Sequence, residues 1–209
     1  MSTPTFSFNV ARFLLGAVCV IASTSCGGEL LRTGRSPVYL VVTQISAEKG
    51  GTGSSVAFLI SDVSLDDGSV QNDNVTVTLR VDLKNPTVVA TAMNAVTLTR
   101  YHVNYRRTDG RNTPGTDVPY GFDGALTGTI SAGLGTGAAI FEVVRHQAKL
   151  EPPLKNLAGF NDAGARSISG LGFLSTIAEI TIWGRDQNGN EVIANTSIDV
   201  HFANFADTP

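Results

Sequence analysis

Val75-Thr76-Val77-Thr78-Leu79-Arg80-Val81-Asp82-Leu83 sets five aliphatic side chains at alternate positions with four polar ones between them. Side chains of an extended backbone point to opposite faces in turn, so this period of two predicts a strand with one face in a core and the other in water. A helix would scatter the same residues around its whole circumference. Near the C-terminus, Ile198, Val200 and Phe202 alternate with Ser197, Asp199 and His201 in the same way. Between these two stretches no helical period of comparable strength occurs.

Six further segments are rich in Val, Ile, Thr or aromatic residues and bounded by Gly, Pro, Asn or Asp: 38–46, 56–60, 96–107, 125–131, 138–146 and 177–185. Asp186-Gln187-Asn188-Gly189-Asn190 joins the last two strands, with Asn188-Gly189 suited to the positive φ of a tight hairpin. Eight short strands with turn-rich connections predict an all-β fold, an antiparallel two-sheet sandwich of about seven or eight strands. Ile180-Thr181-Ile182-Trp183-Gly184-Arg185-Asp186-Gln187-Asn188-Gly189-Asn190 resembles the penultimate strand and final hairpin of bacterial immunoglobulin-like or fibronectin type III-like domains. That resemblance implies binding, spacing or assembly. Trp183 is expected to fill or border the core.

The N-terminus has the layout of an export signal: one cation, Arg12, ten mostly apolar residues from Phe13 to Ala22, then Ser23-Thr24-Ser25-Cys26-Gly27-Gly28. Ten residues are too few to span a bilayer as a helix. The segment resembles a bacterial lipoprotein signal peptide, which implies lipid attachment at Cys26 and a mature chain beginning there. The expected organisation is a signal helix over 1–25, a flexible tether over 26–37 and a β-sandwich over 38–209. The alternative is ordinary cleavage near Ser25 and a freely secreted domain. Cys19 would leave with the signal, so the folded part would contain no thiol for a disulfide, a zinc site or a nucleophile. Gly27 lacks the aspartate that marks inner-membrane retention in enterobacterial-type sorting, which favours the periplasmic side of the outer membrane or the cell surface.

Lys and Arg number 15 against 18 Asp and Glu, for a net charge of −3; without Arg12 the balance is 14 against 18, or −4. Nucleic acid is not the expected partner at that charge. No Gly-x-Ser-x-Gly elbow, His-Glu-x-x-His pair or phosphate loop occurs. His102, His146 and His201 are the neutral-pH acid–base candidates, and each sits where a solvated histidine would. The reading is therefore no enzyme and no catalytic residues, with a hydrolase of unrecognised site as a minority view. No metal is assigned and no cofactor is expected, although Asp62, Asp66, Asp67 and Asp73 in one loop and Asp109, Asp117 and Asp123 in another could supply oxygens to calcium.

Arg100, Arg106, Arg107 and Arg111 form the main cationic concentration, with Tyr101 and Tyr105 on the other side of the same strand. Arginine beside tyrosine is the composition of interface hot spots. Arg100, Tyr105, Arg106, Arg107, Arg111, Tyr120 and Phe122 are accordingly the candidate residues for contact with a protein partner. A glycan stacking on the same aromatics is the alternative. Of three long connections, 61–74, 108–124 and 148–176, the last is expected to be a flap across an open sheet end or part of a docking surface, with Ile168, Leu171, Phe173 and Leu174 packing.

Overall fold

The structure is a computed structural model and describes residues 34–48, 55–65, 68–133, 135–160 and 172–205. The expected signal helix, Cys26 and most of the tether lie outside the described residues. Two sheets face each other. One has the order β2-β1-β4-β7, built from β1 (Val38–Glu48), β2 (Ser55–Val56), β4 (Asp73–Leu83) and β7 (Thr136–Val144). The other has the order β3-β9-β8-β5-β6, built from β3 (Phe58–Asp62), β5 (Val96–Arg106), β6 (Phe122–Ile130), β8 (Phe173–Asp186) and β9 (Glu191–Ala203). Chain connections that pass from β4 to β5, β6 to β7 and β7 to β8 each change sheet, the Greek-key crossing that immunoglobulin-like and fibronectin type III-like sandwiches share.

All eight expected strands are present, and the alternation explains them. In β4, Val75, Val77, Leu79 and Val81 are buried while Thr76, Thr78 and Arg80 face outward. In β9, Ile198, Val200 and Phe202 are buried. Between these rows lie Leu59, Tyr105, Ile180, Ile182 and Leu154, which close one core. The segment expected at 56–60 divides at Ala57: β2 pairs with the end of β1, and β3 switches sheets to lie parallel to β9. That one parallel pairing departs from the expected antiparallel pattern, and it puts the first part of the chain on both sheets.

A β-bulge decides which residues reach the surface of β5. The register shifts between Leu98 and Arg100 against both neighbouring strands, so Val96 and Leu98 point inward before it and Tyr101, Val103 and Tyr105 after it. Arg100, His102, Asn104 and Arg106 are thereby turned to the outer face. Trp183 lies opposite Arg100 on that same outer face, so it is not a core residue. Of the expectation that Trp183 fills or borders the core, the first half fails, because Ile180 and Ile182 fix the parity of β8 and leave position 183 half-buried on the outer face.

The described part of the long connection after β7 is folded onto the sandwich. A one-turn helix, α1 (His146–Lys149), leads to a 3-10 segment, Leu154–Phe160, whose Leu154 and Leu157 are buried in the core. The described part is thus a flap over the sheet end. Leu174 packs inward as a strand residue because β8 begins at Phe173; Phe173 itself stays 49% exposed, against expectation. Ile168 and Leu171 lie outside the described residues.

Candidate functional site

The arginines of the expected contact surface do not form one patch. Arg100 lays its guanidinium over the Trp183 ring, 3.7 Å from the centroid, and Arg106 Nε pairs with Glu179 Oε1 at 2.8 Å, both on the outer face of the five-stranded sheet. Arg107 and Arg111 belong instead to the loop between β5 and β6. Arg107 is only 14% exposed at its side chain and grips Asp109 with Nε and a terminal nitrogen. Arg111 Nε lies 3.5 Å from Asp109 and 3.9 Å from Asp117. The fork of Arg107 holds the Asp109 carboxyl below its usual range. These pairs shape the loop and balance its charge.

Tyr105, expected at the contact surface, is buried instead. It is 2% exposed, its ring packs edge-on to Phe202, and its hydroxyl donates to the Val143 carbonyl of the opposite sheet. Burial and the nearby Asp73 carboxylate push its phenol pKa far up, so it stays protonated and remains a donor. It joins the two sheets and meets no partner. The inward parity that follows the bulge is the reason.

Tyr120 and Phe122 do converge. They line a cleft of about 210 Å3 with Pro119, Arg145, Gln147 and Pro152, between the β5–β6 loop and the flap. Buried Val118 and Pro119 anchor the loop, and Tyr120 stays 57% exposed, its ring lying across Gly115. A Cβ at Gly115 would sit 2.2 Å from the tyrosine oxygen, and its φ of +75° also favours glycine, so this residue permits the ring's position. On the floor, the Arg145 guanidinium lies 3.8 Å from the Phe122 ring centroid and donates to the Asp123 carbonyl. Gln147 Nε2 bonds Glu151 Oε1 at 2.8 Å along the rim. The result is a preformed apolar trough with a flat cation at its base.

What fixes the flap side of the cleft is an ion pair. Lys149, at the end of α1, points into the sandwich with a side chain only 2% exposed, and its Nζ lies 2.9 Å from Asp73 Oδ2 at the start of β4. Ser61 Oγ donates to the same oxygen at 2.7 Å. Burial holds the Asp73 carboxyl above its usual range even though Lys149 and Ser61 pull the other way. Removing either charge leaves the other stranded, which is the strongly destabilising case. Sequence reasoning missed Arg145, Gln147 and Lys149 as parts of one site, because helix, loop and strand bring them together from positions without a shared motif.

The histidines are dispersed. His102 Nδ1 faces Asp123 at 3.2 Å, His146 bonds Asn72, and His201 bonds Ser175 and stacks on Phe173. Among the described residues, no group of three or more His, Cys, Asp and Glu side chains converges as a metal site requires. Of the acidic cluster read for calcium, Asp73 is engaged by Lys149, and Asp62 accepts from the Ser64 and Phe205 amides. Asp66 and Asp67 lie outside the described residues.

No family model matches the chain, and no curated protein does. Among solved structures it is similar to the Northeast Structural Genomics Consortium target SoR45, at 12% identity, over 80% of this chain and 86% of that one, with a TM-score of 0.32. A likeness that loose carries no argument about function.

Proposed function

We propose that the chain is a non-catalytic envelope lipoprotein, held at a membrane through Cys26, whose sandwich binds another protein through the Tyr120–Phe122 cleft. The observation that carries the reading is the cleft's preformed shape, aromatic and proline walls around an arginine base, built by an ordered loop on one side and a pinned flap on the other. Rigid aromatic surface around an arginine gives contact area with little ordering entropy left to lose on binding. The occupant that fits is an extended protein segment offering an apolar side chain to Tyr120 and Pro152. The β5–β6 loop and the flap lie at the end of the sandwich opposite Ser36, where the chain enters it.

The test has two parts. Intact mass reads acylation directly: a mature chain starting at Cys26 with added acyl mass is expected, and a bare mature chain refutes the anchoring. A photo-crosslinker at position 120 in intact cells is expected to capture a defined envelope protein that the same probe at Thr129 does not. Equal capture at both positions, or binding on a glycan array that Tyr120→Ala abolishes, would refute the protein-partner reading. Arg106→Glu is the clean charge variant on the sheet face, whereas Arg107→Glu would dismantle the loop through Asp109.

A further inference from the structure

The opposite end of the sandwich has a different chemistry. Three connections meet there: 84–95 between β4 and β5, 131–135 between β6 and β7, and the β8–β9 turn at 187–190. The register places them together, since Val38 pairs with Leu83, Val96 with Asp186 and Val96 with Ile130. Not one Asp, Glu, Lys or Arg occurs at 85–95, 131–135 or 187–190, although charged residues make up 16% of the chain. That frequency over 20 positions would place about three charges there. The connections at the cleft end carry Arg107, Asp109, Arg111, Asp117, Arg145, Lys149, Glu151 and Lys155 in contrast.

At this end the 84–95 loop, uncharged after Lys84, also exposes apolar side chains: Val88 at 53%, Val89 at 81% and Met93 at 54%. This loop is preformed. Asn85 Oδ1 accepts from the Thr87 amide and hydroxyl, Asn94 Oδ1 accepts from the Thr91 amide and hydroxyl, and the Val88 and Asn94 amides bond back to Asn85 and Thr91. Backbone groups satisfied inside a turn can enter a less aqueous medium at lower cost. Just above the loop, Tyr39 is 56% exposed and Lys84 Nζ lies 5.1 Å from its ring centroid. Tyrosine and lysine at the rim of an apolar tip are the residues that settle at a headgroup boundary.

The chain enters the domain at this same end: the Pro37 carbonyl accepts from the Lys84 amide at 2.9 Å, and Ser36 hydrogen-bonds Asp186 at the β8–β9 turn. Cys26 lies ten residues before Ser36, a reach of about 35 Å at most when fully extended. We infer that the 84–95 loop rests in the interfacial layer of a phospholipid bilayer, with Val88, Val89 and Met93 inserted and Tyr39 and Lys84 at the headgroups. The inference rests on the tether reading above. A lipid surface is the occupant because the tether would hold this face beside it, and because uncharged tips lose no ion hydration on entry.

The experiment uses the mature acylated chain in phosphatidylethanolamine–phosphatidylglycerol vesicles. A polarity-sensitive fluorophore is attached to Val89→Cys or, at the far end, to Thr116→Cys. The position-89 fluorophore is expected to shift to the blue and lose intensity when brominated acyl chains are included; the position-116 fluorophore is expected to do neither. Val88→Asp, made in a chain labelled at Met93→Cys, should abolish that quenching. Equal behaviour at positions 89 and 116 overturns the inference. Acyl mass on Cys26 is measured on the same samples, so failure of the tether is read separately; an unacylated chain would be assayed with excess vesicles, where absence of the position-89 shift still overturns the loop's role.

Discussion

Replacing Lys149 by Met keeps the length of the side chain and removes its charge, which isolates the ion pair under the flap. Lys149 is 2% and Asp73 17% exposed at the side chain. Removing one partner of a buried pair costs about 3–5 kcal/mol, and the residual exposure of Asp73 argues for the lower end, about 3 kcal/mol. For a domain of this size that is a fall in melting temperature of about 6–12 °C. The loss should depend on pH. Asp73 already has its pKa raised above 3.8 by burial, so in the wild-type chain its contribution to stability is full below that value and falls as pH rises through the folded-state pKa. Without the lysine attraction the folded pKa rises further, and the window moves with it. Lys149→Met should therefore show its whole deficit at pH 7 and recover as acid neutralises Asp73. Thermal and urea unfolding followed by circular dichroism at pH 7 and about pH 4.5 measure both effects. Asp73→Leu combined with Lys149→Met should restore much of the stability, because no charge is stranded. A deficit of about 1 kcal/mol or less, the size of an exposed pair, or one that ignores pH, would refute the reasoning.

Tyr105→Phe should cost about 1–3 kcal/mol by leaving the Val143 carbonyl without its donor, read by denaturant midpoint, with crosslinking from position 120 unchanged. Asp186 accepts from the Asn188 and Asn190 amides and from the Asn190 side chain; burial opposes its ionisation, yet these bonds hold its pKa below 3.8. Asp186→Ala should accordingly destabilise by about 1–3 kcal/mol at pH 7. The gap from wild type should close as pH falls through that depressed pKa, because wild type then loses the bonds to the carboxylate. Gly124 lies under the Tyr101 ring, where a Cβ would come within 2.2 Å of ring carbons. Gly124→Val should displace Tyr101 and lower the melting temperature, with about 1–3 kcal/mol lost.

The strands were legible because period-two alternation is a local property: Val75 to Leu83 and Ile198 to Phe202 each name their buried face without reference to any other part of the chain. The bulge near Leu98 was not legible, since Thr99 has no residue type that signals an extra position. That single residue sends Tyr105 inward and Arg100 and Arg106 outward. Tyr120 and Phe122 stand out in the sequence by their chemistry, but Arg145, Gln147 and Pro152 line the same cleft only because β7 ends beside the β5–β6 loop. The sequence shows Arg107 as a cation beside aromatics, and the fold of the loop engages its guanidinium with Asp109.

The amino-acid sequence by itself determined the β class, the eight strand segments and the place of the turn at 186–190, where Gly189 takes the expected positive φ and Asn188 does not, since side-chain alternation and glycine's conformational freedom act within a few positions. Only the tertiary structure decided the sheet switch at Ala57, the Lys149–Asp73 pair and the contrast between a charge-rich cleft end and the uncharged loop tips at the other end. Those features depend on which distant segments become neighbours, and that is fixed by burial of the whole core rather than by any one stretch of chain.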